Sequence, residues 1–155
     1  MKIEGGCYCK GVRYRAEGEP IMRAECYCRE CQYITGGGNL MMIAMPSSGF
    51  EITKGAVKDY RRADLPNGVT RQFCPECGTH LFTRAPGFEV AVIIKLGTLD
   101  DLSLYGKADS ANYICDAQPY HRLPEDIISS VIDKENEVLS ILGEIRSLLT
   151  ETAAS

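Results

Sequence analysis

The apolar positions of this chain change their period once. Through roughly the first 120 residues they come in short runs broken by turn residues; beyond Asp126 they recur at threes and fours. Val12-Arg13-Tyr14-Arg15-Ala16 alternates, as a half-buried strand does, and Gly18-Glu19-Pro20 ends it. Met22-Arg23-Ala24 leads into a cysteine-rich segment. Residues 40–45 (LMMIAM) are continuously apolar and stop at Pro46, the pattern of a buried strand. Residues 50–53 and 57–60 predict two short strands, and Pro66-Asn67-Gly68 a turn. Residues 70–73 and 80–83 predict strands on either side of a second cysteine-rich segment. Val90-Ala91-Val92-Ile93-Ile94 is β-branched and apolar, and it predicts a central strand. The result is a mainly β domain over residues 1–125.

The second period belongs to residues 126–155. Val131, Val138, Leu142, Ile145 and Leu149 form a stripe that Ile128, Ile132 and Leu139 widen. This predicts an amphipathic helix, entered through Leu123-Pro124-Glu125-Asp126 with proline and acid at its start. The stripe approximates a heptad seam interrupted by Glu135. Such a helix either packs on its own β-domain or pairs with a second copy, which would make the chain a homo-oligomer.

Composition alters this picture little. The 155 residues are 45% hydrophobic and 25% charged, ordinary for a globular protein. A chain of this length buries a real core, so cysteines need not be its only support. Charge is more informative. The formal net charge is −4, and beyond residue 125 six acidic residues face two basic ones, so the excess sits in the tail. A neutral body with an acidic tail argues against a nucleic-acid partner. No apolar run approaches the ~20 residues that span a bilayer, so no membrane role is expected. Met1-Lys2-Ile3-Glu4-Gly5-Gly6 lacks the apolar stretch of a secretory signal. The expectation is a cytoplasmic protein with reduced thiols.

Seven of the eight cysteines fall in three tight clusters: Cys7-Tyr8-Cys9, Cys26-Tyr27-Cys28-Arg29-Glu30-Cys31 and Cys74-Pro75-Glu76-Cys77. The two pairs supply four thiolates, the complement of a closed structural zinc site. The trio supplies three. It predicts an open or exchangeable zinc site; a closed structural site and metal-free reactive or oxidised thiols are the alternatives. Candidate fourth ligands are Cys115, His80 and His121. Of these, His80 reads as a packed or outer-sphere histidine, and Cys115 as a buried core cysteine. Gly36-Gly37-Gly38 is either a place for close approach of a ligand to the backbone or a plain loop connection. Arg13, Arg15, Arg23, Arg29, Arg61, Arg62 and Arg71 are available to hold carboxylates.

Taken in order, these segments resemble a known family. Gly5-Gly6-Cys7-Tyr8-Cys9-Lys10-Gly11-Val12-Arg13-Tyr14 is followed by the trio with Gln32. Then come Phe73-Cys74-Pro75-Glu76-Cys77-Gly78-Thr79-His80-Leu81-Phe82 and Gly97-Thr98-Leu99-Asp100-Asp101. Together they resemble the glutathione-dependent formaldehyde-activating enzymes, a family that includes centromere protein V. The resemblance implies an Mss4-like twisted β-sandwich of antiparallel sheets. It implies a structural zinc on Cys7, Cys9, Cys74 and Cys77, and a second, catalytic-type zinc on Cys26, Cys28 and Cys31. The implied activity is that of a carbon–sulfur lyase joining glutathione and formaldehyde into S-(hydroxymethyl)glutathione. The chain departs from the family pattern at Asn112-Tyr113-Ile114-Cys115 and Pro119-Tyr120, where it has no tryptophan. The other class of reading is a non-catalytic, zinc-stabilised interaction module that self-associates through its C-terminal helix.

Overall fold

A computed structural model describes residues 1–123. The amphipathic helix expected over 126–155, and with it the pairing seam, lies outside the described residues. Residues Met1–Gln118 form one compact unit. It contains ten strands and one α-helix: β1 (Lys2–Gly6), β2 (Arg13–Glu17), β3 (Met22–Cys26), α1 (Arg29–Thr35), β4 (Leu40–Pro46), β5 (Phe50–Lys54), β6 (Lys58–Tyr60), β7 (Thr70–Phe73), β8 (His80–Arg84), β9 (Ala91–Lys95) and β10 (Ser110–Asn112). The fold is mainly β, with two sheets. One has the order β1-β2-β5, the other β10-β3-β4-β9-β8-β7-β6. Residues 91–94 of the expected apolar run, with Lys95, form the middle strand of the seven, while Val90 lies outside it and is exposed.

Alternation along the strands builds the core. Ile3 on β1 and Tyr14 and Ala16 on β2 turn inward. They meet Ile43 and Met45 of β4, Leu81 and Phe82 of β8, and Val92 and Ile94 of β9. Phe82 is the hub. Its ring meets Tyr14 edge-on at 4.9 Å and Phe50 at 4.7 Å, the arrangement aromatic quadrupoles favour. The intervening residues of β3 and β4 point to the opposite face of the large sheet. There Ala24, Leu40 and Met42 form a second apolar cluster with Cys26 and Cys31.

Three features differ from the sequence expectation. The sheets are not wholly antiparallel, because β10 pairs with β3 in parallel. β9 and β10 run the same way, so residues 96–109 cross over β4 and β3 instead of turning back; a parallel neighbour needs such a crossover. β1 was not foreseen, since Lys2-Ile3-Glu4-Gly5-Gly6 ends in two residues of low strand propensity. Packing explains both: a Cβ at Gly5 would stand 2.2 Å from the Thr98 carbonyl oxygen, and one at Gly6 2.4 Å from the Val12 carbonyl oxygen. α1 was also unforeseen. It spans 7 residues and buries only Cys31 and Gln32, too few positions to set a period.

Candidate metal centres and adjoining clefts

Two turns of the same design follow β1 and β7. In the first, the Cys7 amide donates to the Val12 carbonyl (3.1 Å) and the Lys10 amide to the Cys7 carbonyl (2.9 Å). In the second, the Cys74 amide donates to the Thr79 carbonyl (2.9 Å) and the Gly78 amide to the Cys74 carbonyl (2.9 Å). Each turn closes through a left-handed residue, Lys10 at φ 59° and Gly78 at φ 71°. Glycine adopts that conformation freely and lysine does not. The Tyr8 amide reaches Thr79 Oγ1 at 3.2 Å and ties the turns together.

The sulfurs of Cys7, Cys9, Cys74 and Cys77 lie within 4.8 Å of one another. Cys7 and Cys9 are 3.4 Å apart, and Cys9 and Cys74 3.7 Å. Zinc–sulfur bonds of about 2.3 Å in a tetrahedron put sulfurs about 3.8 Å apart, so this soft donor set fits a zinc ion. Hydrogen bonds favour thiolates at Cys7 and Cys77, while the neighbouring sulfurs push Cys9 up. The Val12 amide points at Cys7 Sγ (3.1 Å). The Thr79 hydroxyl, followed by its amide, pulls the Cys77 thiol down to about 5.

The trio forms where a strand becomes a helix. Cys26 ends β3, Cys28 is the N-cap of α1, and Cys31 stands in its first turn. The Cys31 amide donates to Cys28 Sγ at 3.4 Å, a sulfur cap that fixes Cys28 beside Cys31. All three sulfurs lie within 4.8 Å. A hydrogen bond from the Cys31 thiol draws Cys26 down to about 6 against the effect of burial, while Cys31 itself is pushed up. Three convergent soft donors, one already biased to thiolate, fit a metal ion with an open position. Gln32 anchors the helix beneath them. Its Nε2 donates to the Tyr27 carbonyl (2.6 Å) and to the Asp116 carbonyl (3.0 Å).

No other Cys, His, Asp or Glu of this unit joins the trio among the described residues. Cys115 is exposed, contrary to the buried position expected of it. The alternation on which that expectation rested stops at Asn112, because Tyr113 turns left-handed at φ 55° and starts a short 3-10 turn. His80 packs on Phe73, with ring centroids 5.7 Å apart, and its Nδ1 is buried without a partner. His121 packs on Tyr120 in the unit beyond Gln118. Within the glycine run, Gly36 acts locally by capping α1 at φ 75°.

A cleft of about 570 Å³ opens in front of the trio, with Met42 and Ile93 among its apolar walls and Arg71 and Lys95 as cations. A second cleft of about 500 Å³ adjoins it, sharing Glu30, Ile34 and Arg71 and adding Tyr33, Tyr60, Phe73, Arg62 and His80. Arg71 is buried and holds Glu30 at 2.7 Å; Arg62 holds the other Glu30 oxygen at 3.3 Å. Arg29 lines the first cleft and lies over the Tyr33 ring. Three of the other arginines serve elsewhere. Arg13 pairs with Asp100, Arg15 with Glu17 and Glu51, and Arg61 bonds the Pro66 carbonyl.

Lys95 escaped the sequence reading. It closes the otherwise apolar strand Ala91-Val92-Ile93-Ile94-Lys95 and is 6% exposed. A charge at the end of a fully apolar strand was the available signal. Burial holds its ammonium down at about 8, with the neighbouring Cys31 sulfur pulling the other way.

A two-sheet β fold carries one four-thiol and one three-thiol cluster, each able to hold a soft metal ion, with a cleft at the incomplete cluster. Comparison with known proteins gives that arrangement its place. The family model for glutathione-dependent formaldehyde-activating enzymes matches residues 2–116, and the chain belongs to this family. A Halomonas elongata protein described as "Putative glutathione-dependent formaldehyde-activating enzyme" is 29% identical over 91 residues. The match covers 56% of this chain and 58% of that protein, so the chain spans less than two thirds of its relative. A solved Rhodobacter sphaeroides protein shares the fold at 16% identity with a TM-score of 0.54. It covers 68% of this chain and 96% of the solved one. Among the described residues, no helix is long and apolar enough to cross a membrane.

Proposed function

We propose that the chain is a zinc-dependent carbon–sulfur lyase-type enzyme, joining a thiol such as glutathione to formaldehyde or a related small electrophile. The observation that carries the reading is the three-thiol cluster, short of one ligand, facing a cleft with two buried cations. In this reading Cys7, Cys9, Cys74 and Cys77 hold a structural zinc, and Cys26, Cys28 and Cys31 a catalytic-type one. A zinc ion in the trio would supply Lewis acidity, lowering the pKa of the incoming thiol to make a nucleophile at neutral pH.

The chain's own residues would do the rest. The apolar walls at Met42 and Ile93 lower the local polarity and strengthen charge interactions beside them. The second cleft takes the body of the peptide thiol. Arg62, paired there with Glu30 and Asp64, would exchange one of these partners for a substrate carboxylate, while Tyr33 and Tyr60 flank it. The Mss4-like architecture, the 1–125 and 126–155 division, the cytoplasmic setting and pairing through the C-terminal helix belong to the same reading.

The test is exchange between ¹³C-formaldehyde and glutathione, followed by NMR at a fixed adduct concentration. Metal-loaded protein at micromolar concentration should accelerate exchange well beyond the spontaneous rate, and Cys31→Ser should remove the gain. Equal rates with and without wild-type protein would refute the reading.

A further inference from the structure

We propose that Lys95 is a catalytic residue: its ammonium hydrogen-bonds the aldehyde oxygen and protonates it as the thiol sulfur adds to the carbon. The assignment rests on the function proposed above and deepens it. Strand geometry places the residue. Val92 and Ile94 of β9 belong to the core between the sheets. Ile93 and Lys95, on the alternate face, line the cleft with the three thiols.

The surroundings of Lys95 are unusual. Its Nζ donates to one neutral acceptor, Thr83 Oγ1 at 2.7 Å, and no carboxylate pairs with it among the described residues. An ammonium has three donors, so two remain for a ligand. Burying a cation on one neutral hydrogen bond costs free energy that an apolar side chain would not. Such violations of local preference concentrate at functional sites. Arg71, the other buried cation of the cleft, is already held by Glu30. Arg29, the third cation of the cleft, is exposed, so Lys95 is the buried cation left to meet a developing negative charge.

The step balances without oxidant or reductant. The thiolate sulfur forms the carbon–sulfur bond, the carbonyl π pair moves onto oxygen, and Nζ gives that oxygen a proton. Nζ regains a proton from solvent, which has received the one the thiol lost. Thiol and aldehyde become the hydroxymethyl thioether.

Lys95→Met and Lys95→Gln should be prepared beside wild type and loaded with zinc. Metal content, glutathione affinity by calorimetry and exchange kinetics should be measured on each. The expected result is that kcat/KM falls at least ~100-fold in Lys95→Met and at least ~10-fold in Lys95→Gln, the scale of removing an oxyanion donor. Metal content should stay unchanged and glutathione affinity within about threefold. Lys95→Met retaining activity within a few-fold of wild type overturns the assignment alone. So does a loss of metal whose replacement with excess zinc restores activity, since Lys95 would then be a counter-ion of the cluster. A wild-type protein that accelerates nothing, with any thiol and aldehyde, overturns the underlying function and the assignment together.

Discussion

Replacing Lys95 with methionine should stabilise the fold even as it removes the activity. The two side chains have similar length, and the thioether fits the apolar neighbours Ile93 and Met42. The magnitude follows from the burial of the ammonium. Its pKa falls from the ordinary 10.5 to about 8. At about 1.36 kcal/mol per pKa unit, the charged form costs the folded state about 3 kcal/mol at pH 7. Losing the hydrogen bond to Thr83 gives back about 1 kcal/mol. The net gain is about 2 kcal/mol, a rise of roughly 4–8 °C in Tm for a chain of this size.

The sign with pH is fixed by linkage. Between pH 8 and 10.5 the unfolded chain keeps the proton that the folded chain has lost, so this group's contribution to stability rises with pH. The advantage of Lys95→Met is therefore full below pH 8, falls as the pH rises towards 10.5, and gives way there to a deficit of about 1 kcal/mol, the lost Thr83 bond. Urea titrations of both proteins, at equal metal loading and at pH 7, 8, 9 and 10, measure it. A methionine variant less stable than wild type by more than about 1 kcal/mol at pH 7 would refute the reasoning, as would a difference flat across the series.

Three further outcomes are expected. Cys77→Ser should cost one metal per chain and the cooperative fold with it, whereas Cys31→Ser should cost one metal and turnover while leaving the melting transition sharp. Metal analysis and thermal denaturation separate them, and a Cys31→Ser chain that fails to fold would favour a purely structural trio. Phe82→Ala, at the hub of Tyr14 and Phe50, should destabilise by about 3–5 kcal/mol in urea; a loss under about 1 kcal/mol would mean the sheets do not close on this ring. Arg62→Ala should raise KM for glutathione several-fold and leave 2-mercaptoethanol unaffected in the exchange assay, and equal effects on both thiols would remove the second cleft from substrate recognition.

Legibility in the sequence followed the physics of each element. β4 and β9 were readable because strands buried on both faces carry continuous apolar runs, here residues 40–45 and 91–94. β1 was not, because its fit depends on the close approach of Thr98 and Tyr14 to Gly5, a contact 93 residues away for one and nine for the other. The cysteine clusters were readable because donor spacing is local: Cys7 with Cys9, Cys74 with Cys77, and Cys26 with Cys28 and Cys31. Tertiary structure had only to bring the pairs together. The exposure of Cys115 was not legible because the left-handed Tyr113 ends the alternation at Asn112 and begins a turn, which the residue pattern does not signal. Lys95 carried no motif. Its meaning lies in what surrounds it: Thr83 as its one acceptor, Arg71 already engaged, and three sulfurs in the same cleft.

The central claim is that Cys26, Cys28 and Cys31 form a metal site with a place for a substrate sulfur. Titrating glutathione into cobalt-substituted protein tests it most directly, with Cys31→Ser as control. The thiolate-to-cobalt absorption should rise with saturable glutathione binding in wild type, by about the share of one added sulfur among seven, and should not respond in Cys31→Ser. An unchanged wild-type spectrum with no heat of binding would contradict the claim.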